Sequence, residues 1–245
     1  MARATVGAIE LEYETAGSPD NPTILLVMGL GAQLIHWHEN FCQLLVNGGF
    51  HVVRFDNRDA GLSTKLDGVE IDFPALITAA LEGQEVFDTP YDLSDMAADA
   101  FGLLDALGVE KAHVVGVSLG GMIAQTMAIE GSDRVISLTS IMSSTGTREV
   151  ADIPDESLEL LLAPAPTERE EYLDYSANYA IWSSKKYFDP EIARQHAAVA
   201  YDRCHYPDGV GRQIAAMLAS GDRESQLATM NVPTLVIHGR DDHLV

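Results

Sequence analysis

The sequence predicts an α/β protein: a mostly parallel β-sheet with helices on both faces and a helical insertion late in the chain. Three observations carry this. Short, continuous apolar runs such as residues 23–28 and 112–117 read as strands buried on both faces. They alternate with stretches whose apolar residues recur at helical spacing, the order of a parallel sheet built from crossover units. The alternation then lapses from Thr145 to about Pro207, where no strand candidate occurs. With 245 residues, 47% of them hydrophobic, the chain is long enough to bury one large core carrying such an insertion.

Taken in order, "TVGAIELEYETAG" alternates and predicts an opening β-hairpin, and "SPDNP" (Ser18 to Pro22) a turn into the strand at 23–28. Leu34, Trp37, Phe41, Leu44 and Leu45 recur as on one helix face until Gly48 and Gly49 stop it, and residues 51–56 form the next strand. Residues 65–91 show no legible element. Leu93, Met96, Ala97, Ala100, Phe101, Leu104 and Leu107 mark an amphipathic helix closed by Gly108. A strand at 112–117, a helix at 120–129 and a strand at 135–140 follow. The insertion reads as helical segments separated by "PAP" (Pro164 to Pro166) and by Asp189-Pro190, and the core resumes with a helix at 208–220 and a strand at 232–238. The expected organisation is core at 1–144, helical cap at 145–207 and the second part of the core at 208–245.

A formal charge of −22, from 37 acidic against 15 basic side chains, would repel nucleic acid and anionic membranes, so both partner classes are excluded. The N-terminus lacks a signal-peptide core and no 18 apolar residues run together, so a cytoplasmic location is expected. Cys42 and Cys204 belong to no metal-spaced or CxxC pair and read as reduced thiols. No metal or cofactor is implied.

The chemistry is carried by "HVVGVSLGGMIAQ". A strand, then Gly116-Val117-Ser118-Leu119-Gly120, then a helix, is the context in which G-x-S-x-G forms a nucleophile elbow. Such a turn strains the serine backbone, needs small residues at the −2 and +2 positions, and presents the hydroxyl at the carboxyl edge of the sheet. The helix that starts beside it directs free N–H groups at the reacting centre. A second piece, "LLVMGLGAQLIHW", ends a strand at Met28 and opens a Gly29-Leu30-Gly31 loop whose backbone can approach a ligand closely.

With "VMGLG", "VVRFDNRDAGLST", "VVGVSLGGM", "SLTSIMSS" and "VPTLVIHGRDDHLV", the chain resembles the α/β-hydrolase superfamily over nearly its whole length, and within it capped ester hydrolases of the methylesterase type. The resemblance implies oxyanion donors at the Leu119 N–H and, from the loop after the early strand, the Leu30 N–H. Met28-Gly29 stands where many relatives have His-Gly, which leaves a backbone donor in place. "FDNRDAGLS" matches the superfamily's D-x-R-x-x-G-x-S turn, so Asp56 and Arg58 are expected to organise structure and Ser63 not to be the nucleophile. The acid of the triad maps onto Asp242, with Asp241 as second choice, in the loop after the strand at 232–238.

The resemblance places the catalytic histidine after one further strand, whereas the sequence stops three residues past Asp242. The expectation is therefore a C-terminally truncated chain with weak or absent turnover. His36, His38 and His243 are the substitutes within these residues, since a base must reach the serine hydroxyl to about 3 Å, directly or through one water. Tyr172, Tyr175, Tyr179 and Trp182 fall at i, i+3, i+7 and i+10, one helical face that reads either as the packing core of the cap or, with Trp37 and Met142, as an apolar substrate pocket.

The reading is a serine hydrolase acting on a small hydrophobic carboxylic ester through an acyl-enzyme. Ser118 argues against haloalkane dehalogenases and epoxide hydrolases, which use an aspartate at the elbow. A C–C bond hydrolase, a peptidase, a cofactor-free perhydrolase and a non-catalytic ligand-binding protein remain as alternatives.

Overall fold

The computed structural model describes residues 1–84, 89–147, 153–242 and 244–245. Strands β1 (Ala2–Val6) and β2 (Ile9–Ala16) form the opening antiparallel hairpin, and β2 continues antiparallel onto β4 (His51–Phe55). From there the sheet is parallel through β3 (Thr23–Val27), β5 (Ala112–Val117), β6 (Val135–Ile141) and β7 (Thr234–Ile237), in the order β1-β2-β4-β3-β5-β6-β7. The chain leaves β3 for β4 on one side and later returns to β5 on the other. That reversal is a topological switch point, which opens a crevice at the carboxyl ends of β3 and β5.

Strand β3 shows why the sheet is covered on both faces. All five of its residues are buried, and successive side chains point to opposite sides. Leu25 and Val27 enter the larger core with Val53, Phe55 and Val114. Ile24, Leu26 and Met28 enter a second cluster with Trp37, Cys42 and Val52. The larger core is closed by α3 (Leu93–Ala106) and α4 (Leu119–Glu130), and the second by α1 (Glu39–Asn47). Helix α3 begins with a reciprocal capping box between Asp92 and Asp95. Helix α4 is buried from Leu119 to Ala128, as expected of a helix apolar all round.

The fold class is as the sequence predicts, with three local differences. The single helix expected across residues 34–45 is a 3₁₀ turn, Leu34–His36, followed by α1. Trp37 interrupts it because its ring turns into the second core and stacks on Phe41, and the His38 side chain then caps α1 by accepting the Asn40 N–H. Leu44, expected on the apolar face, is 69% exposed. The region without a legible element contains α2 (Phe73–Leu81), begun by an Asp72 cap and Pro74.

Beyond β6 the described chain is helical: α5 (Asp155–Leu162), α6 (Arg169–Tyr175), a 3₁₀ segment Ser176–Trp182 and α7 (Pro190–Arg203). The winding changes at Ser176, so the four aromatics do not share one α-helical face. At three residues per turn i and i+3 eclipse, and Tyr179 accordingly stacks on Trp182 with ring centroids 5.8 Å apart. Helix α8 (Asp208–Ser220), a short α9 (Glu224–Leu227) and β7 complete the chain. Strand β7 lies at the sheet edge with Leu235, Val236 and Ile237 exposed. Residues 148–152, within the expected cap, and His243 lie outside the described residues.

Candidate active site

At the end of β5 the chain turns sharply into α4, and Ser118 occupies the turn with φ 54° and ψ −124°. A non-glycine residue there is strained and persists only when its surroundings enforce it. The enforcement is steric. A Cβ on Gly116 would lie 2.0 Å from the Gly120 carbonyl oxygen, and one on Gly120 would lie 2.2 Å from the Val27 oxygen. Strand, turn and helix can therefore meet only with glycine at both positions. The Ser118 N–H donates to the Ile141 carbonyl at 2.9 Å, and its own carbonyl accepts from Gly121 and Met122, so the turn is tied to β6 and to α4.

The loop after β3 lies directly against this turn. A Cβ built on Gly29 would sit 3.2 Å from Ser118 Cβ and 3.8 Å from its Oγ. The Leu30 side chain packs on the larger core. Leu119 is the first residue of α4, where no carbonyl lies one turn back to accept its N–H. Ser118, Leu30 and Leu119 are thus brought together.

Side chains from elsewhere hold the loop. Asn57 Nδ2 donates to the Met28 carbonyl at 2.9 Å, and Gln213 Oε1 accepts the Gly31 N–H at 2.8 Å. Asp56, fully buried, accepts the Leu34 and Leu62 N–H groups at 2.7 and 2.8 Å and pairs with Arg203 at 2.8 Å. Gln33 ties the loop to α7 through the Ala200 and Cys204 carbonyls and the Arg203 guanidinium. Ser63 donates to the Asp56 carbonyl and accepts the Glu12 N–H, so its hydroxyl is occupied in structure. Arg58 pairs with Asp99 of α3 at 2.6 Å. Next to it Asp59, also buried, is held by two nitrogens of Arg212 at 2.9 Å and by the Tyr91 hydroxyl. Burial and that carboxylate push the Tyr91 phenol well above its ordinary range. Asn57, Arg203, Arg212 and Gln213 were not anticipated from the sequence.

Asp242 follows β7 at the same edge of the sheet. Its Oδ1 accepts the Leu244 and Val245 N–H groups at 2.9 and 3.1 Å, and its Oδ2 stands 3.5 Å from His238 Nε2. The Asp241 side is exposed. Among the described residues no histidine hydrogen-bonds Ser118: His36 closes a turn with Gln33, His38 caps α1, and His238 faces Asp242.

Of the expected pocket residues, Tyr175, Tyr179 and Trp182 contact one another in turn, and Trp37 and Met142 stand on other elements. Trp37 is 7% exposed within the second core, whereas Met142 is 44% exposed, immediately after β6, with φ 39°. Its N–H donates to the Ile237 carbonyl, which ties this strained residue to β7. Asp59, Ser118 and Met142, the described non-glycine residues with positive φ, follow β4, β5 and β6 respectively, so backbone strain collects at the carboxyl edge. Tyr175 packs edge-on against Tyr179 and donates to the Leu160 carbonyl of α5. Tyr172 packs on Tyr201 of α7 and on His205 just beyond its end. The buried Arg223 donates to the Ser144 and Gly221 carbonyls and to Gln125, with no ion pair among the described residues, and burial pushes its guanidinium down to about 10.

Cavities of about 330 and 410 Å³ lie elsewhere, and their charged groups are already engaged: Arg54 with Glu14 and Glu39 in the first, Lys65 with three backbone carbonyls in the second. Among the described residues no three of His, Cys, Asp and Glu are grouped to hold a metal ion, and no helix is long and apolar enough to cross a membrane.

A strained serine at a strand-to-helix turn, beside a glycine loop at the switch point of a parallel sheet, defines the nucleophile-elbow class of α/β proteins. The chain belongs to the alpha/beta hydrolase fold family, whose model matches residues 22–245. It is 34% identical over 134 residues to the rhodomycin D methylesterase DnrP of Streptomyces peucetius, a match covering 55% of this chain and 39% of that relative. It is 29% identical over 237 residues to the putative carbamate hydrolase RutD of Variovorax paradoxus, covering 96% of this chain and 79% of that one. The enol-lactonase of Burkholderia xenovorans superposes with a TM-score of 0.69 at 22% identity, over 98% of this chain and 81% of its own. A meta-cleavage product hydrolase of Pseudomonas fluorescens gives 0.72 at 19%, over 100% and 81%.

Proposed function

We propose that this protein is a serine hydrolase that cleaves a small hydrophobic carboxylic ester through an acyl-enzyme. The carrying observation is Ser118 in a backbone conformation that nothing but tight packing would maintain, with Gly29 against its side chain. In this reading Oγ of Ser118 attacks the ester carbonyl carbon and gives up its proton to an imidazole oriented by Asp242. The Leu30 and Leu119 N–H groups receive the negative charge that develops on the carbonyl oxygen. Collapse expels the alcohol, which takes that proton. Water then attacks the acyl-serine, releasing the carboxylic acid and restoring the hydroxyl. The segment 145–207 serves as a cap, and Met142, Tyr175, Tyr179 and Trp182 supply its apolar surroundings, with Trp37 behind them in the second core.

The methylesterase relatives support an ester, and the RutD relatives, matched along almost the whole chain, support a carbamate as the second substrate. Both place the same demand on the site, an acyl carbon attacked by serine. The test is reaction with a fluorophosphonate followed by peptide mass spectrometry, with p-nitrophenyl butyrate and a p-nitrophenyl carbamate as substrates. Label on Ser118, absent in Ser118→Ala, is the expected result. Label on another serine, or hydrolysis undiminished in Ser118→Ala, overturns the reading.

A further inference from the structure

We infer that Gln213 is a positioning residue for the oxyanion loop, holding the peptides around Leu30 so that its N–H faces the Ser118 hydroxyl. This rests on the assignment of Leu30 as an oxyanion donor. Gln213 lies on α8 and is fully buried. Its carboxamide is used at both ends: Oε1 accepts the Gly31 N–H at 2.8 Å and Nε2 donates to the Arg58 carbonyl at 2.8 Å. Because one partner is a donor and the other an acceptor, only one orientation of the amide satisfies both.

Successive peptide units of the loop are each held at one end. The Met28 carbonyl accepts from Asn57, the Gly29 carbonyl accepts the Ala32 N–H at 3.2 Å, and the Gly31 N–H is held by Gln213. In a trans peptide the N–H points opposite to the C=O. The carbonyl of the Gly29–Leu30 peptide turns inward to Ala32, so the Leu30 N–H turns away from that contact. Asn57 and Gln213 lock the peptides on either side of it. Leu30 then cannot rotate without breaking one of these bonds.

Helix α8 constrains Gly31 a second time. Gly31 has φ 62°, and a Cβ there would lie 2.8 Å from Val210 Cγ2, so the first turn of α8 presses on the residue that Gln213 binds. The neighbouring Arg212 anchors that turn through the buried Asp59. Gln213 is therefore set on a rigid support, as a positioning group must be. Helix α8 directly follows α7, which reaches the same loop through Gln33, so two consecutive helices hold the oxyanion loop.

The experiment compares the full chain with Gln213→Met and Gln213→Glu. Methionine keeps the volume and removes both hydrogen bonds. A buried, protonated glutamate restores the pair, with O–H to Arg58 and C=O to Gly31; ionisation leaves an acceptor for Gly31 but sets a carboxylate against the Arg58 carbonyl, whose repulsion displaces the side chain and the loop with it. The readouts are the second-order rate of fluorophosphonate reaction at Ser118 and the backbone amide resonances of Leu30 and Gly31. We expect Gln213→Met to react at least about tenfold more slowly, with both amide resonances displaced. Gln213→Glu should react near the wild-type rate at low pH and lose rate, relative to wild type, as its carboxyl ionises. A wild-type rate in Gln213→Met overturns the inference, as does a Gln213→Glu ratio that does not change with pH. If Ser118 reacts in none of the proteins, the reading of these residues as a working serine hydrolase fails, and with it the rate comparison. The amide resonances then decide the positioning role, and unchanged resonances in Gln213→Met overturn it. Should the methionine variant not fold, the pH series on Gln213→Glu carries the test.

Discussion

The turn after β5 and the loop after β3 lie side by side at the carboxyl edge of the sheet, yet different forces shape them. The elbow is shaped by sterics among its own residues and the strand beside it. Gly116 and Gly120 leave room for backbone oxygens at 2.0 and 2.2 Å from where a Cβ would be, and no side-chain hydrogen bond is needed. The loop has no such local constraint. Its conformation is imposed by Asp56, Asn57 and Gln213, which lie 22, 29 and 182 residues away from the groups they bind. Close packing is stiff because repulsion rises steeply with distance, whereas a hydrogen-bonded loop is only as well placed as the elements that bring its partners. The Ser118 turn is thus locally determined, and the glycine loop beside it is determined by assembly.

The comparison is broken most severely at Asp56. In Asp56→Ala the Arg203 guanidinium, 9% exposed, loses its carboxylate and two loop amides lose their acceptor. A loss of about 3–5 kcal/mol is expected from urea unfolding, and the loop should loosen while the elbow keeps its form. Next is Gly120→Ala, which drives a methyl into the Val27 and Met28 oxygens. Backbone cannot yield as a side chain would, so the cost is about 3 kcal/mol, or roughly 6–12 °C in Tm for a chain of this size, together with loss of Ser118 reactivity. If Gly120→Ala kept both stability and labelling, the steric account of the elbow would be wrong.

Asn57→Ala should be milder. It leaves the buried Met28 carbonyl without its donor, for about 1–2 kcal/mol, and should slow fluorophosphonate labelling with little change in fold by circular dichroism. The smallest effect serves as a control at the far edge of the sheet. His51, buried at the start of β4 beside the Thr23 hydroxyl, is held below its ordinary 6.5 by burial. A depressed folded pKa contributes stability that is present above 6.5 and lost as pH falls through the lowered value. His36 and His205 are lowered by burial as well, so urea unfolding should show stability declining below about pH 6.5, with at most about one proton's worth of slope removed in His51→Gln, while both regions of the site stay unchanged.

Legibility of the site followed the same division. Ser118, Leu119 and the two glycines are adjacent in sequence and were readable because the strand, turn and helix that need them are adjacent too. Asp56 and Arg58 were readable as a turn, but their partners Arg203 and Asp99 were not. The aromatic spacing at 172–182 misled, because a change of winding at Ser176 is set by packing against α5 and α7 and not by residue type. Helix α2 escaped notice although Asp72 and Pro74 mark its start, since the apolar residues of this short segment lack an alternating polar face. Trp37 read equally well as helix face or pocket wall, and only the second core assigns its ring a place.

By itself, the sequence determined most of the order of strands and helices and the position of the sharp turn at Ser118. Apolar periodicity and backbone sterics act over a few residues and leave their mark in the local pattern. The tertiary structure alone decided that β3 stands between β4 and β5, and hence that Gly29 meets Ser118. It alone made Gln213 a partner of the glycine loop after β3. A hydrogen bond closed over 182 residues leaves no periodic trace, and one glutamine on an amphipathic helix reads like any other polar residue until the fold brings Gly31 and Arg58 to its two ends.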